Sequence, residues 1–394
     1  MSARAPAGGD ARRITILGST GSIGVNTLDV IAQLGGRDAF EIEALTGSAN
    51  IALLARQARQ CGARLAVTAD PARYGELKEA LAGTGIAVAA GRSGLAEAAQ
   101  RPAGRVMAAI VGTAGLEPTL AAAERGADIA LANKECLVAA GDLLIRTAAR
   151  AGGRVIPVDS EHSAIFQTLE TDNRHALERI VLTASGGPFR TWPREKMAAA
   201  TPDMARVHPN WSMGMKISIG SASMFNKALE MIEARHLFDL RPEQIEVVVH
   251  PQSIVHSMVG YADGSVLAQL GAPDMRTAIG YALSWPRRPH LDVERLDFAR
   301  IGRLDFEAPD EERFPALRLA RLALARGGLQ GAVLNAAEET ACAAFVAGRI
   351  GFLAMAEITE KVMDRLAGLP AAGSIGAVMA ADADARRLAA TMAG

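Results

Sequence analysis

The sequence predicts an α/β protein: an N-terminal doubly wound parallel sheet, a central α+β part and a small C-terminal helical bundle. Three observations predict it. Short apolar runs alternate with Ala- and Leu-rich helical stretches between residues 14 and 132, the pattern of parallel strands joined by crossover helices. The first run stops at a glycine-rich turn that opens a helix, as nucleotide-binding α/β units do. After residue 154 the texture changes to scattered strands and a Pro-rich stretch, and it ends in Gly-separated helical segments.

The elements follow in order. Residues 14–17 (ITIL) form a strand that ends at Gly18, with a helix from Ser22. Further strands are expected at 41–45, 64–68, 86–89, 106–111 and 129–132, with helices such as 50–60 and 116–125 between them. RVIPV (154–158) reads as a strand that runs on into Asp159-Ser160-Glu161, and 179–183 reads as another, ending at the Gly-rich ASGGPF. Residues 189–216 carry Pro193, Pro202 and Pro209 with Trp192 and Trp211, and read as one long irregular segment of the kind that serves as a lid. A helix over 221–235 and strands at 245–249 and 265–270 complete the second unit. Helices are expected at 315–330, 332–347 and 351–367. The expected domains are 12–154, 155–288 with the mobile stretch 189–216, a linker at 289–312, and helices over 313–394.

Length and composition agree with this layout. A chain of 394 residues holds two or three domains at about 100–200 residues each. Apolar residues make up 49% and charged ones 22%, which excludes a disordered, collagen-like or rod-like chain. Lys and Arg total 42 against 43 Asp and Glu, so no basic footprint for nucleic acid is present. Aromatics at 4% leave little for base stacking. Cys61, Cys136 and Cys342 are too few and scattered for a disulfide framework or a structural zinc site, so a reducing, cytoplasmic setting is expected. The N-terminal tail lacks the apolar region of a signal peptide. No long uncharged apolar stretch predicts a membrane span, and a soluble protein is expected.

Gly18, Gly21 and Gly24 permit a tight turn, close approach of backbone to a pyrophosphate and close helix–strand packing. The free N–H groups of the following helix face the phosphates. The spacing is GxxGxxG rather than GxGxxG, and a ligand-free turn would also fit it. Where an NAD site carries an acid after the second strand, this chain has Thr46-Gly47-Ser48-Ala49-Asn50. That absence leans towards NADP, although no basic residue stands there either.

Asp159 and Glu161, taken as extended backbone, share one face. On the helix expected from Ser221, residues Ser223, Asn226, Lys227 and Glu230 share a polar sector opposite Met224, Phe225, Ala228, Leu229 and Ile232. Three carboxylates without His or Cys suit a hard cation, Mg²⁺ or Mn²⁺. Equally, Lys227 and Glu230 can be a plain helix pair worth about 0.2–0.5 kcal/mol, with Asp159 and Glu161 solvated. Asn133-Lys134-Glu135 follows a strand of the first domain, where such folds gather their sites. Ser185-Gly186-Gly187 offers a hydroxyl and backbone N–H groups to an anion. His208 lies in the irregular segment. His250 and His256 are ligand candidates or satisfied core histidines, and Cys136 has no evident base beside it.

Together the stretches ITILGSTGSIGVNTLDV, VMAAIVGTAGLEPTL, LANKECLVAAG, PVDSEHSAIFQ, LTASGGPF, HPNWSMGMKISIGSASMFNKALEMIEARHLF, HPQSIVHSMV and GSVLAQLGAPDMRTAI run in this order from residue 14 to residue 279. They closely resemble the 1-deoxy-D-xylulose 5-phosphate reductoisomerase family. The resemblance implies a Rossmann-like NADPH-binding domain and divalent-metal-dependent rearrangement and reduction of a sugar phosphate on the route to isoprenoid precursors. It also implies a homodimer. It matches Thr20, Gly21, Ser22 and Ile23 to the pyrophosphate turn and Ser48, Ala49 and Asn50 to the 2′-phosphate. Asn133, Glu135 and Gly214 match further cofactor contacts. Asp159, Glu161 and Glu230 match the ligands of Mg²⁺ or Mn²⁺, with Co²⁺ a third option, and Ser160 stands beside them on the substrate. Ser185, Ser221, Asn226 and Lys227 match the substrate-phosphate group, Lys134 and His208 other substrate contacts, and Trp211 and Met213 a flap over the substrate. Four positions depart from the family's habit: Ala49 and Met215, where a basic residue is frequent, Gly220, where an acid is, and Glu338, where Asn is usual. A plain NADP-dependent dehydrogenase and a catalytically silent NADP-binding protein are the rival readings; neither needs three convergent carboxylates.

Overall fold

The computed structural model describes residues 13–207, 214–371 and 373–394. The chain divides into two compact units. One comprises the residues up to 136 together with 144–163 and 274–294; the other comprises 137–143, 164–273 and 295–394.

The first unit is built on seven parallel strands: β1 (Arg13–Leu17), β2 (Glu41–Gly47), β3 (Leu65–Thr68), β4 (Ala87–Ala90), β5 (Arg105–Ala108), β6 (Asp128–Leu131) and β7 (Val155–Pro157). They lie in the order β4-β3-β2-β1-β5-β6-β7. Ile14, Ile16, Leu45, Val67, Val106 and Met107 are all buried, as expected of strands covered by helices on both faces. The strand order reverses between β1 and β5, and in such sheets ligands bind at that switch point, outside the carboxyl ends of the strands. β7 lies beyond residue 154 yet pairs with β6. The chain also returns to this unit at helix Met275–Ser284, where Arg105 Nη1 donates to the Ala282 and Leu283 carbonyls at 2.7 and 2.6 Å. Arg105 is thereby a cap for the helix's last turn, a pairing between positions far apart in sequence.

Side-chain caps start two of the helices that matter for the site. In α1 (Ser22–Gln33) the N-cap is Gly21, with no side-chain cap. In α2 (Ile51–Cys61) Asn50 Oδ1 accepts from Leu53 N at 3.1 Å. In α3 (Lys134–Arg150) Asn133 Oδ1 accepts from Cys136 N at 3.2 Å. These are the Asx caps that satisfy orphan N–H groups. The stretch after β7 is not extended, as its sequence was read, but helical: α4 (Ser160–Thr168). Asp159 Oδ1 accepts from Glu161 N at 3.3 Å, so the carboxylate that was read as a strand residue caps a helix instead.

The second unit holds a four-stranded sheet of β8 (Leu177–Ala184), β9 (Ile245–Val249), β10 (Val255–Tyr261) and β11 (Val266–Leu270), in the order β11-β10-β8-β9. β8 pairs parallel with β9, and the other two pairings are antiparallel. The stretch 189–216, read as irregular, contains short helices Arg194–Ala198 and Pro202–Arg206. Pro193 and Pro202 occupy the positions where helices tolerate proline. The helix read over 221–235 is two: α5 (Met215–Ala222) and α6 (Phe225–Phe238). Met224, left-handed at φ 64°, separates them. Ser223 therefore lies outside the helix that carries Glu230. Helices α7 (Ala316–Arg326), α8 (Gln330–Val346), α9 (Ala354–Arg365) and α10 (Ile375–Ala393) form the bundle. Phe225, Leu317, Val333, Phe345, Val362 and Ala389 belong to its one apolar core. Among the described residues, no helix is long and apolar enough to cross a membrane.

Candidate active site

The carboxyl end of the seven-stranded sheet carries the first group of expected residues. Gly18, at φ 87°, turns the chain out of β1, and a Cβ there would meet the Ala109 carbonyl oxygen at 2.7 Å. A Cβ at Gly24 would sit 2.4 Å from the Gly18 oxygen. Only glycine fits either position. The turn is braced by residues that spacing did not single out. Thr46 Oγ1 accepts from Gly18 N at 2.9 Å, Ser19 Oγ donates to Gln57 Oε1 at 2.9 Å, and Gln57 Nε2 donates to the Ser19 carbonyl. Ser19 and Gln57 are buried, and the signal they leave in sequence is only a polar residue on the inner face of α2. Gly21 and Ser22 are exposed, Thr20 and Ile23 half-buried. The uncapped α1 N-terminus therefore presents backbone N–H groups and a positive dipole end.

Thr20 also touches the next strand, since a Cβ at Gly47 would lie 3.1 Å from its side chain. Ser48, Ala49 and Asn50 follow at the end of β2, all exposed. After β6, Asn133 is buried and donates through Nδ2 to the Ile110 and Gly112 carbonyls, tying the ends of β5 and β6 together. Glu135 is buried in the first turn of α3.

Lys134 and Asp159 meet at the ends of neighbouring strands, Nζ to Oδ2 at 2.7 Å. Burial pushes the Asp159 carboxyl up, but the charges of Lys134 and His162 outweigh it and hold the group well below the usual carboxylate range. Ser160 Oγ donates to Glu161 Oε2 at 2.5 Å. In this unit the structure thus brings together Lys134, Asp159, Ser160 and Glu161. Asp159 is held ionised, and every donor of the acidic pair is oxygen, a set that fits a hard cation.

The second unit assembles the remaining group. Ser185 directly follows β8, and Gly186 and Gly187 come next at φ 81° and 67°. Gly187 N donates to Ser185 Oγ at 3.2 Å. A Cβ at Gly187 would meet the Ser221 carbonyl oxygen at 2.7 Å, so the Gly-Gly turn packs directly on the end of α5. Across the Met224 break, a Cβ at Gly220 would lie 3.6 Å from Asn226 N. Asn226 Nδ2 donates to Glu230 Oε1 at 2.5 Å, and Lys227 Nζ donates to Glu230 Oε2. The i,i+3 helix pair that spacing allowed does form, but it is buried, with Lys227 and Glu230 4% and 1% exposed. Burying two charges is costly unless they are paired, and here each has a partner. Ser185, Ser221 and Asn226 are half-buried, and with buried Lys227 they supply hydroxyl, amide and ammonium groups suited to a phosphate.

Other candidates resolve differently. His250 Nδ1 lies 2.8 Å from the Asp305 carbonyl oxygen, and its Nε2 accepts from Ile254 N at 3.2 Å; it is a satisfied core histidine. Cys136 is fully buried. Gly214 is the N-cap of α5, Met215 is partly exposed and Glu338 is buried on α8. His208, Trp211 and Met213 lie outside the described residues.

Comparison with known proteins matches the chain over nearly its whole length. Models of 1-deoxy-D-xylulose 5-phosphate reductoisomerase cover residues 14–141, of its C-terminal domain 155–238, and of a further DXP reductoisomerase C-terminal domain 270–388. The 1-deoxy-D-xylulose 5-phosphate reductoisomerase of Rhizobium meliloti is 76% identical over 381 residues, 97% of each chain. That of Agrobacterium fabrum is 72% identical over 376 residues, 95% of each. The solved enzyme from Zymomonas mobilis in complex with NADPH superposes with a TM-score of 0.92 at 50% identity, covering 97% of this chain and 99% of that one. A DOX-P reductoisomerase crystallised with NADPH, fosmidomycin and magnesium gives 0.92 at 41% identity, covering 97% and 98%. The chain belongs to the 1-deoxy-D-xylulose 5-phosphate reductoisomerase family.

Proposed function

We infer that the protein is an NADPH- and Mg²⁺-dependent oxidoreductase that rearranges and reduces 1-deoxy-D-xylulose 5-phosphate to 2-C-methyl-D-erythritol 4-phosphate in isoprenoid precursor biosynthesis. The observation that carries this reading is the near-complete alignment with relatives of that activity. When bound, NADPH supplies the hydride and the divalent cation supplies Lewis-acid stabilisation of charge on the substrate oxygens.

The residues divide the remaining work. The turn Thr20-Gly21-Ser22-Ile23 at the N-terminus of α1 holds the pyrophosphate, and Ser48, Ala49 and Asn50 surround the 2′-phosphate. Asn133, Glu135 and Gly214 complete the cofactor contacts. Asp159, Glu161 and Glu230 would hold one cation, Mg²⁺ or alternatively Mn²⁺ or Co²⁺. Lys134 steers the Asp159 carboxylate and contacts substrate, and Ser160 does the same beside Glu161. Ser185, Ser221, Asn226 and Lys227 bind the substrate phosphate, with His208, Trp211 and Met213 completing the substrate contacts. The nucleotide-binding part is assigned to 12–154 and the chemistry to 155–288.

The enzyme is a cytoplasmic homodimer in this reading. The dimer is supported by β11, an edge strand whose Val266 and Leu267 are 50% and 39% exposed. An open apolar edge is a template for pairing with another chain, and a two-fold partner would present the same strand.

The test is NADPH oxidation by the purified chain. It should require deoxyxylulose phosphate and Mg²⁺ together, and either omission should abolish it. Oxidation without the cation would favour a plain dehydrogenase.

A further inference from the structure

Helix α5 is poorly equipped to hold itself in place. It has eight residues, an N-cap glycine without a side-chain cap, two Ile and an internal glycine, and helices that short are marginal alone. Lys216 stands in its first turn, where a positive charge opposes the helix dipole. The opposite end of the helix carries Ser221, packed on Gly187. Where this helix sits therefore depends on what grips it.

The grip is a chain of alternating charges. Lys216 Nζ pairs with Glu339 on α8, Glu339 pairs also with Arg386 on α10, and Arg386 Nε pairs with Asp382 at 2.7 Å. The two acids are 12% and 6% exposed at their side chains, so this is a part-buried network and not a surface pair of negligible worth. Burial pushes the Glu339 carboxyl up, but Lys216 and Arg386 outweigh it and keep it below its ordinary value. The network lies entirely in the second unit, and none of its four members is assigned to substrate, cation or cofactor.

We propose that Glu339 is a positioning residue for substrate binding: by gripping Lys216 from a base of Arg386 and Asp382, it fixes helix α5 and thereby places Ser221 on the substrate phosphate. The inference rests on the assignment of Ser221 to that phosphate. It is tested by steady-state kinetics on the full-length enzyme with NADPH and Mg²⁺. Glu339→Gln should raise KM for deoxyxylulose phosphate roughly tenfold, the equivalent of one hydrogen bond to a charged group, and weaken competitive inhibition by inorganic phosphate in proportion. KM for NADPH should stay unchanged. Lys216→Met should do the same, and Lys216→Arg should restore most of the loss. Arg318→Met is the control, because it breaks the Arg318–Glu360 pair at 2.6 and 2.8 Å between α7 and α9 of the same unit. It should lower the Tm and leave KM alone.

An unchanged substrate KM in Glu339→Gln, alongside a raised one in Ser221→Ala, overturns the proposal alone. An unchanged KM in Ser221→Ala overturns the phosphate assignment and the proposal with it. A rise in Arg318→Met equal to that in Glu339→Gln reduces the network to general stability and also overturns it. If Glu339→Gln does not fold, Lys216→Met, which keeps the Glu339–Arg386 pair, carries the same test.

Discussion

Ala49 and Asp159 mark the two ends of what single residues disclose. Ala49 is exposed at the end of β2, and its meaning comes from comparison with a basic habit in the family. An Arg there gains a partner only when a 2′-phosphate is bound. Ala49→Arg should widen the preference for NADPH over NADH by a few-fold only, because an exposed pair contributes about 0.2–1 kcal/mol. The ratio of kcat/KM for the two cofactors measures this, and no change would remove position 49 from cofactor selection. Asp159 was legible as an acid at a strand end, but its partner was not. The 2.7 Å contact with Lys134 joins residues from separate strands, and no local pattern encodes it. The bracing of Gly18 by Thr46 and of Ser19 by Gln57 was hidden for the same reason.

At the scale of elements, the parallel strands were legible because each carries a short apolar run bounded by turn or helix signals, and the runs at 14–17, 41–45 and 64–68 fall on β1, β2 and β3. β10 was missed, since Val255–Tyr261 contains His256, Ser257 and Gly260. Those polar and small residues are nonetheless buried, His256 and Ser257 because tertiary packing covers them. The split between α5 and α6 was missed too. Met224 is an ordinary helix former, and only its position on the fold puts it at φ 64°. The bundle's charged network has a pH signature whose sign is fixed. Glu339's carboxyl is lowered in the fold, so its stabilising effect is complete above the ordinary value of 4.5 and is lost as pH falls below it. Thermal unfolding of the wild type should therefore lose Tm below that pH more steeply than Glu339→Gln does. Parallel Tm–pH curves for the two proteins would contradict this.

For the whole molecule, composition excluded disorder and membrane-spanning helices but carried no information on chain exchange between units. The first unit takes back residues 274–294, a return that the Pro-rich texture around Pro286 concealed behind the appearance of a linker. Cys61, Cys136 and Cys342 are free thiols, as their scatter in the sequence predicted. Burial is the main cause that pushes Cys61 up to about 11 and Cys342 up to about 12, so both stay protonated near neutrality. Self-association belongs to this scale as well. If β11 is the dimer edge, Leu267→Lys should shift the sedimentation mass from dimer to monomer while the circular dichroism spectrum stays the same. A dimer that survives this substitution places the interface elsewhere.

The account depends most on Asp159, Glu161 and Glu230 serving one cation, separately from the nucleotide turn at Gly18–Gly24. The direct measurement is Glu230→Gln, assayed for turnover across a Mg²⁺ titration and, in parallel, for NADPH binding by fluorescence. Altering even an outer-shell partner of a metal ligand typically costs 10–100-fold, so loss of a ligand should lower kcat on the order of 100-fold or more. The Mg²⁺ response should move to higher concentration, and NADPH affinity should match the wild type. Near-normal turnover of Glu230→Gln in chelator-treated buffer would contradict the account and return the chain to a plain dehydrogenase.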